Sequence, residues 1–285
     1  MALIPPFFLD CVVAISFQKD GGVKYGATGF LFGWLIQDSP IQKDKRYRVY
    51  LITNRHVFEG HKKAYLRFNP KANAPAMVFD LVLEDSQGNK LWKTHSDVEV
   101  DVAVQSINVG LLEESGIQFV FFLSDSHVLN RKKATEAGLT EGDGIFILGF
   151  PMGEVGKERN YVIVRQGCIA RIRDALAGSS KDYLVDALIF PGNSGGPVIN
   201  YPEAVTIQNT KSINAAYLIG VVSGYVPYQD IAISSQTNRP RIIFEENSGL
   251  AAVVIIDYAI EVIEAAEKMI QTMPTPGTPA TDSTA

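Results

Sequence analysis

The chain is poor in cysteine. Only two occur in 285 residues. Cys11 and Cys168 each sit in an apolar, strand-like run, Cys11-Val12-Val13-Ala14-Ile15 and Gly167-Cys168-Ile169-Ala170. One pair in so long a chain is no secreted disulfide framework, so both are read as buried free thiols. Histidine is nearly as scarce. His56, His61, His95 and His127 are dispersed, and with two cysteines they form no metal-ligand pattern, so neither a metal nor another cofactor is expected. Gly153-Glu154-Val155-Gly156-Lys157 lacks the spacing of a phosphate loop and reads as a glycine hairpin. No apolar run reaches the ~18 residues of a membrane span. The opening Met1-Ala2-Leu3-Ile4-Pro5-Pro6 has no basic segment before its apolar part and no small-residue cleavage site, so no signal peptide is expected. Net charge is −5, and the basic runs Asp44-Lys45-Arg46 and Arg131-Lys132-Lys133 are short enough to be solvated loops. These absences argue against nucleic-acid and membrane partners and predict a reducing, cytoplasmic setting.

What is present is apolar sequence in short pieces. Hydrophobic residues make up 46% of the chain, enough for a sizeable core. Residues 11–17, 26–32, 47–53, 64–68, 78–83 and 101–107 read as strands, with Ser86-Gln87-Gly88-Asn89 as a hairpin signal. A polar segment, 124–138, separates this half from a second run of strands at 145–150, 161–165, 167–172, 183–189, 197–200, 217–222 and 249–255. Residues 225–248 read as a polar, irregular loop. At 256–271 the apolar period changes to that of a helix, with Ile256, Ala259, Ile260, Ile263, Ala266 and Ile270 inward and Glu261, Glu264, Glu267 and Lys268 outward. The Pro/Thr-rich stretch from 272 to 285 reads as a disordered tail. The predicted fold is all-β: two packed six-stranded Greek-key barrels, 1–123 and 124–271, with the helix closing the second.

Three motifs carry chemistry. Phe190-Pro191-Gly192-Asn193-Ser194-Gly195-Gly196-Pro197-Val198 puts one serine among glycines and prolines, which exclude regular structure and favour a tight loop. Such a loop can set a hydroxyl beside backbone N–H groups aimed at a developing oxyanion. A serine needs a base. His56, at a predicted strand end in Thr53-Asn54-Arg55-His56-Val57, is the candidate, since His61 lies in a charged loop and His95 and His127 among polar residues. The base needs a carboxylate to orient it, and Asp101 opens the alternating strand Asp101-Val102-Ala103-Val104.

Together these motifs, in the order His, Asp, Ser, resemble those of the trypsin/chymotrypsin-fold serine peptidases, and most nearly the bacterial HtrA/Deg-like branch. The resemblance runs through most of residues 10–270. It implies a serine endopeptidase acting on polypeptides through an acyl-enzyme, with Ser194 as nucleophile, His56 as base and Asp101 as its orienting acid. The oxyanion would be held by the amides of Gly192 and Ser194, with Asn193 between them. Leu188, Ser223, Gly224, Tyr225 and Gly249 would form the substrate pocket, and Ser223 would also support Asp101. Leu188 stands where trypsin has an aspartate, which implies an apolar rather than a Lys/Arg preference. Asn193 stands where cleavage-activated members have an aspartate that pairs with the new N-terminus, so no activation of that kind is expected. That branch usually carries a downstream PDZ domain, and none is expected here. Control would come from loop ordering or an activating protein partner. The alternative is a catalytically silent module of the same fold that binds peptides or partners.

Overall fold

The structure, a computed structural model, describes residues 3–19, 22–203, 205 and 210–272. The expected tail from 273 onward lies outside the described residues.

The first half contributes β1 (Val12–Lys19), β2 (Gly22–Gln37), β3 (Arg46–Thr53), β4 (Lys63–Phe68), β5 (Met77–Val82), β6 (Lys93–Thr94), β7 (Ala103–Ser106) and β8 (Phe122–Leu123). The second contributes β9 (Gly144–Gly149), β10 (Ile163–Arg171), β11 (Asp182–Asp186), β12 (Pro197–Asn200), β13 (Leu218–Ile233) and β14 (Pro240–Ile255). Among the described residues six α-helical segments join or flank them: α1 (Phe7–Asp10), α2 (Arg55–Phe58), α3 (Val109–Glu114), α4 (Arg131–Ala137), α5 (Arg173–Leu176) and α6 (Ile256–Thr272).

Only the second half closes. Its six strands form a barrel in the order β10-β11-β14-β13-β12-β9. The first half is an eight-stranded sheet, β5-β4-β1-β2-β3-β7-β6 with β8 parallel to β2, whose hydrogen-bonded order does not close into the expected six-stranded ring.

Why the strands of both halves are apolar in continuous runs follows from where alternate side chains go. Val13, Ile15, Leu31, Val49 and Leu51 fill the interior of the first half. Their neighbours Val12, Ala14, Phe30, Phe32, Tyr50 and Ile52 point the other way, into a cluster shared with the second half. That shared cluster takes Phe146, Leu148, Ile199, Val221 and Val254, while Ile145, Ile147, Val198, Ile219 and Val253 fill the barrel. With both faces covered, each of these strands loses the polar-out half of the usual alternation. Each large aliphatic or aromatic side chain so buried stabilises the fold by about 1.5–3 kcal/mol.

Three readings need correction. Residues 225–248 are not an irregular loop. β13 and β14 continue past the barrel as a two-stranded ribbon, paired from Pro227↔Asn247 to Ile233↔Pro240. In α6, Glu267 faces inward and is buried, and Ile270 is exposed. Cys168 is only half-buried, although both thiols are free.

Candidate active site

β3 and β7 pair antiparallel, with Thr53 opposite Ala103. The chain leaving β3 and the chain entering β7 therefore meet at one end of the sheet. Asn54 stays extended and Arg55–Phe58 then makes a single helical turn, so His56 sits on a helical turn rather than on the strand itself. The Asn54 side chain donates to the Asp101 carbonyl (2.8 Å), tying the two segments together.

Asp101 accepts three hydrogen bonds. The His56 amide donates to Oδ1 (3.0 Å), His56 Nδ1 to Oδ2 (2.6 Å) and the Ser223 hydroxyl to Oδ2 (2.9 Å). Burial works against the Asp101 charge, but the His56 and Ser223 donors outweigh it and hold the carboxyl below its ordinary value. With Nδ1 bonded to a carboxylate, a neutral imidazole carries its proton on Nδ1 and leaves Nε2 as the acceptor. The His56 side chain is half exposed, so the ring is open to solvent.

The loop with Ser194 is clamped from both halves. Thr28 of β2 donates its amide to the Ser194 carbonyl (2.9 Å). Its hydroxyl donates to the Gly192 carbonyl (2.6 Å) and accepts from the Phe150 amide (3.0 Å). Gly195 has φ +82°, and a Cβ there would overlap the Thr28 carbonyl and the Thr53 hydroxyl, so only glycine fits. Asn193 is fully buried. Its side chain accepts from the Phe190 amide (3.0 Å) and its own amide donates to the Phe190 carbonyl (3.0 Å). The amides of Gly192 and Ser194, on either side of it, donate to nothing among the described residues. Two free donors, one of them the amide of Ser194 itself, thus lie in this loop, and such groups stabilise an oxyanion in acyl transfer when aimed at it.

The Ser194 hydroxyl donates to the Ser223 carbonyl (3.1 Å) and makes no hydrogen bond to His56. Histidine, aspartate and Ser223 are thus joined directly, and Ser194 is joined to them through Ser223.

The remaining pocket residues lie on three adjacent segments. The Ala187 amide donates to the Gly249 carbonyl (3.0 Å), which brings Leu188 beside β14. Gly224 and Tyr225 pair with Ala252 and Ala251 of the same strand. No atom lies within 4 Å of where a Cβ on Gly224 or Gly249 would stand, and Leu188 is exposed. The Tyr225 hydroxyl bonds Glu245 (2.7 Å), which carries the ring toward the ribbon. Beyond Pro191, next to Gly192, a cleft of about 650 Å³ is lined by Phe17, Tyr25, His61 and Met152.

No motif in the sequence marks Thr28. The only signal was the small-residue spacing Gly26-Ala27-Thr28-Gly29, which marks close backbone approach. His61 is an exposed loop residue, as expected, and its ring stacks on Phe17 at 3.9 Å between ring centroids. His127 packs against the rings of Phe7 and Phe8, and burial pushes its pKa down. Among the described residues no helix is long and apolar enough to cross a membrane, and no group of histidine, cysteine and acidic residues could hold a metal ion.

None of the curated proteins matches the chain. The profile of the trypsin-like peptidase domain matches residues 27–206, a span that holds Thr28, His56, Asp101 and Ser194 and ends before Ser223.

Proposed function

This chain belongs to the trypsin-like peptidase family, and from that premise we propose that it is a serine endopeptidase working through Ser194, His56 and Asp101 in a chymotrypsin-like fold. Ser194 attacks the scissile carbonyl. His56 Nε2 takes the hydroxyl proton and returns it to the leaving amine. Asp101 holds the Nδ1 tautomer and stabilises the imidazolium. The free amides of Gly192 and Ser194 receive the oxyanion. Water then hydrolyses the acyl-enzyme by the same proton route in reverse.

The observation that carries this reading is the pair of unengaged amides at Gly192 and Ser194, in a loop tied through Ser223 to a histidine bonded to a carboxylate. The Ser194 hydroxyl has to turn from the Ser223 carbonyl to His56 before it can react. An extended substrate lying along the β13 edge would offer its own N–H to that carbonyl, and so release the hydroxyl. Leu188 and the open space at Gly224 and Gly249 suit a small or medium apolar side chain. Asn193 Oδ1 accepts from the Phe190 amide, while its Nδ2 is buried without a partner among the described residues, so a neutral contact stands where an N-terminal ion pair would otherwise hold the loop. Control then falls to loop ordering or to a protein partner, in an intracellular setting.

A fluorophosphonate probe tests the reading. It should label the wild-type chain at Ser194 and leave Ser194→Ala unlabelled. A folded wild-type chain that never labels favours the silent binding module, for which the parked Ser194 hydroxyl is the supporting observation.

A further inference from the structure

The ribbon formed by the outer parts of β13 and β14 is two strands deep and has no cover. Ile242, Ile243 and Phe244 on β14 are 54%, 60% and 53% exposed, and Ile231 and Ile233 on β13 are also exposed. A lone two-stranded ribbon is marginal in water, and an exposed apolar edge strand is a ready template for pairing. The inner part of β14 is paired on both sides, with β11 along Leu250–Val254. From Pro240 to Glu246 it pairs only with β13, so its outer edge is free. Pro240 and a bulge at Arg241, which has no partner on β13, blunt only the tip of that edge. The stretch opposite, Pro227–Ala232, is free of bulges, and no lysine or proline interrupts Arg241-Ile242-Ile243-Phe244-Glu245.

That five-residue stretch is complementary to its own reverse. Laid antiparallel on a copy of itself about Ile243, it sets Arg241 opposite Glu245, Ile242 opposite Phe244 and Ile243 opposite Ile243. The glutamate then opposes the arginine at the other end. Opposite charges and apolar side chains facing each other across an antiparallel pair are each favourable, and a one-residue slip loses the symmetry. Arg241 makes no ion pair among the described residues, so its charge is free for such a partner.

We propose that this edge pairs with the same edge of a second copy, joining two ribbons into a four-stranded sheet with a two-fold axis at Ile243. The interface is isologous, so every contact occurs twice and assembly stops at two. The proposal is independent of the catalytic reading.

Sedimentation velocity on the full chain, from low to high micromolar concentration, tests it. The wild type should sediment as a dimer. Arg241→Glu places like charges across both symmetric pairs and should weaken the dimer roughly tenfold or more; Glu245→Arg should do the same. The double variant R241E/E245R exchanges the two charges, and should return to the wild-type dissociation constant with an unchanged circular dichroism spectrum. In hydrogen exchange, the free-edge amides within 240–246 should be protected in the dimer and lose that protection in Arg241→Glu. A wild-type chain monomeric at every concentration overturns the proposal and leaves the ribbon to a different protein. So does a dimer indifferent to Arg241→Glu, or a double variant no tighter than the single ones.

Discussion

Asp101 accepts from the His56 amide, the His56 ring and the Ser223 hydroxyl, so changes at this position reach both halves of the cleft. Asp101→Asn offers the ring a donor where it needs an acceptor, and should lower kcat on the order of 10⁴, the figure known for another serine protease. Ser194→Ala should remove about six orders of magnitude, again by analogy. Thr28 has no part in bond-making, yet its hydroxyl satisfies both the Gly192 carbonyl and the Phe150 amide. Thr28→Val keeps the shape and strands both groups, which should destabilise the fold by about 1–3 kcal/mol in urea unfolding. Thr28→Ser should recover most of that. Glu141 gives the pH dependence. Hydrogen bonds from the Ile172 and Arg173 amides hold its carboxyl at about 2, against an ordinary 4.5. The folded value is the lower one, so the stabilisation is fully present above about 4.5 and is lost as pH falls toward about 2. The acid limb of a pH–stability profile should be shallower in Glu141→Gln.

Among elements, α6 shows what a period can and cannot reveal. Ile256, Ala259 and Ile263 recur at helical spacing, and that spacing correctly marks a helix with one buried side. Glu267 looked like part of the solvated side because its partners are remote in sequence. It accepts from Arg48 Nη1 and from the Tyr50 hydroxyl, both at 2.6 Å, on β3 of the other half. Burial, together with the facing carboxylate, pushes the Tyr50 phenol up. Glu267→Ala would take the acceptor from both donors, of which only the Tyr50 hydroxyl is fully buried, and should cost about 1–3 kcal/mol in urea unfolding. His95 makes a second tie, from the loop before Asp101 to Glu261 on the same helix (3.0 Å). The ribbon at 225–248 was illegible for the opposite reason. A strand pair exposed on both faces has no single apolar side, so its sequence shows no alternation to read.

At the scale of the whole molecule, the two halves share one apolar cluster, with α6 lying over it. The strands were legible because double burial makes their sequences continuously apolar. Closure was not, since it depends on hydrogen bonds between strand edges, to which side-chain patterns are blind. The cleft was partly legible. His56, Asp101 and Ser194 each stand in a dense local pattern of small or β-branched residues, whereas Thr28 works through its backbone and one hydroxyl, and leaves little trace. The Thr28 clamp also has a consequence for synthesis. β2 leaves the ribosome early and the loop it grips leaves late, with Ser223 later still. A nascent chain can fold its first sheet and bring His56 beside Asp101 before the loop that carries Ser194 has been made. The cleft therefore assembles only after Ser223 has emerged, long after the first sheet can fold.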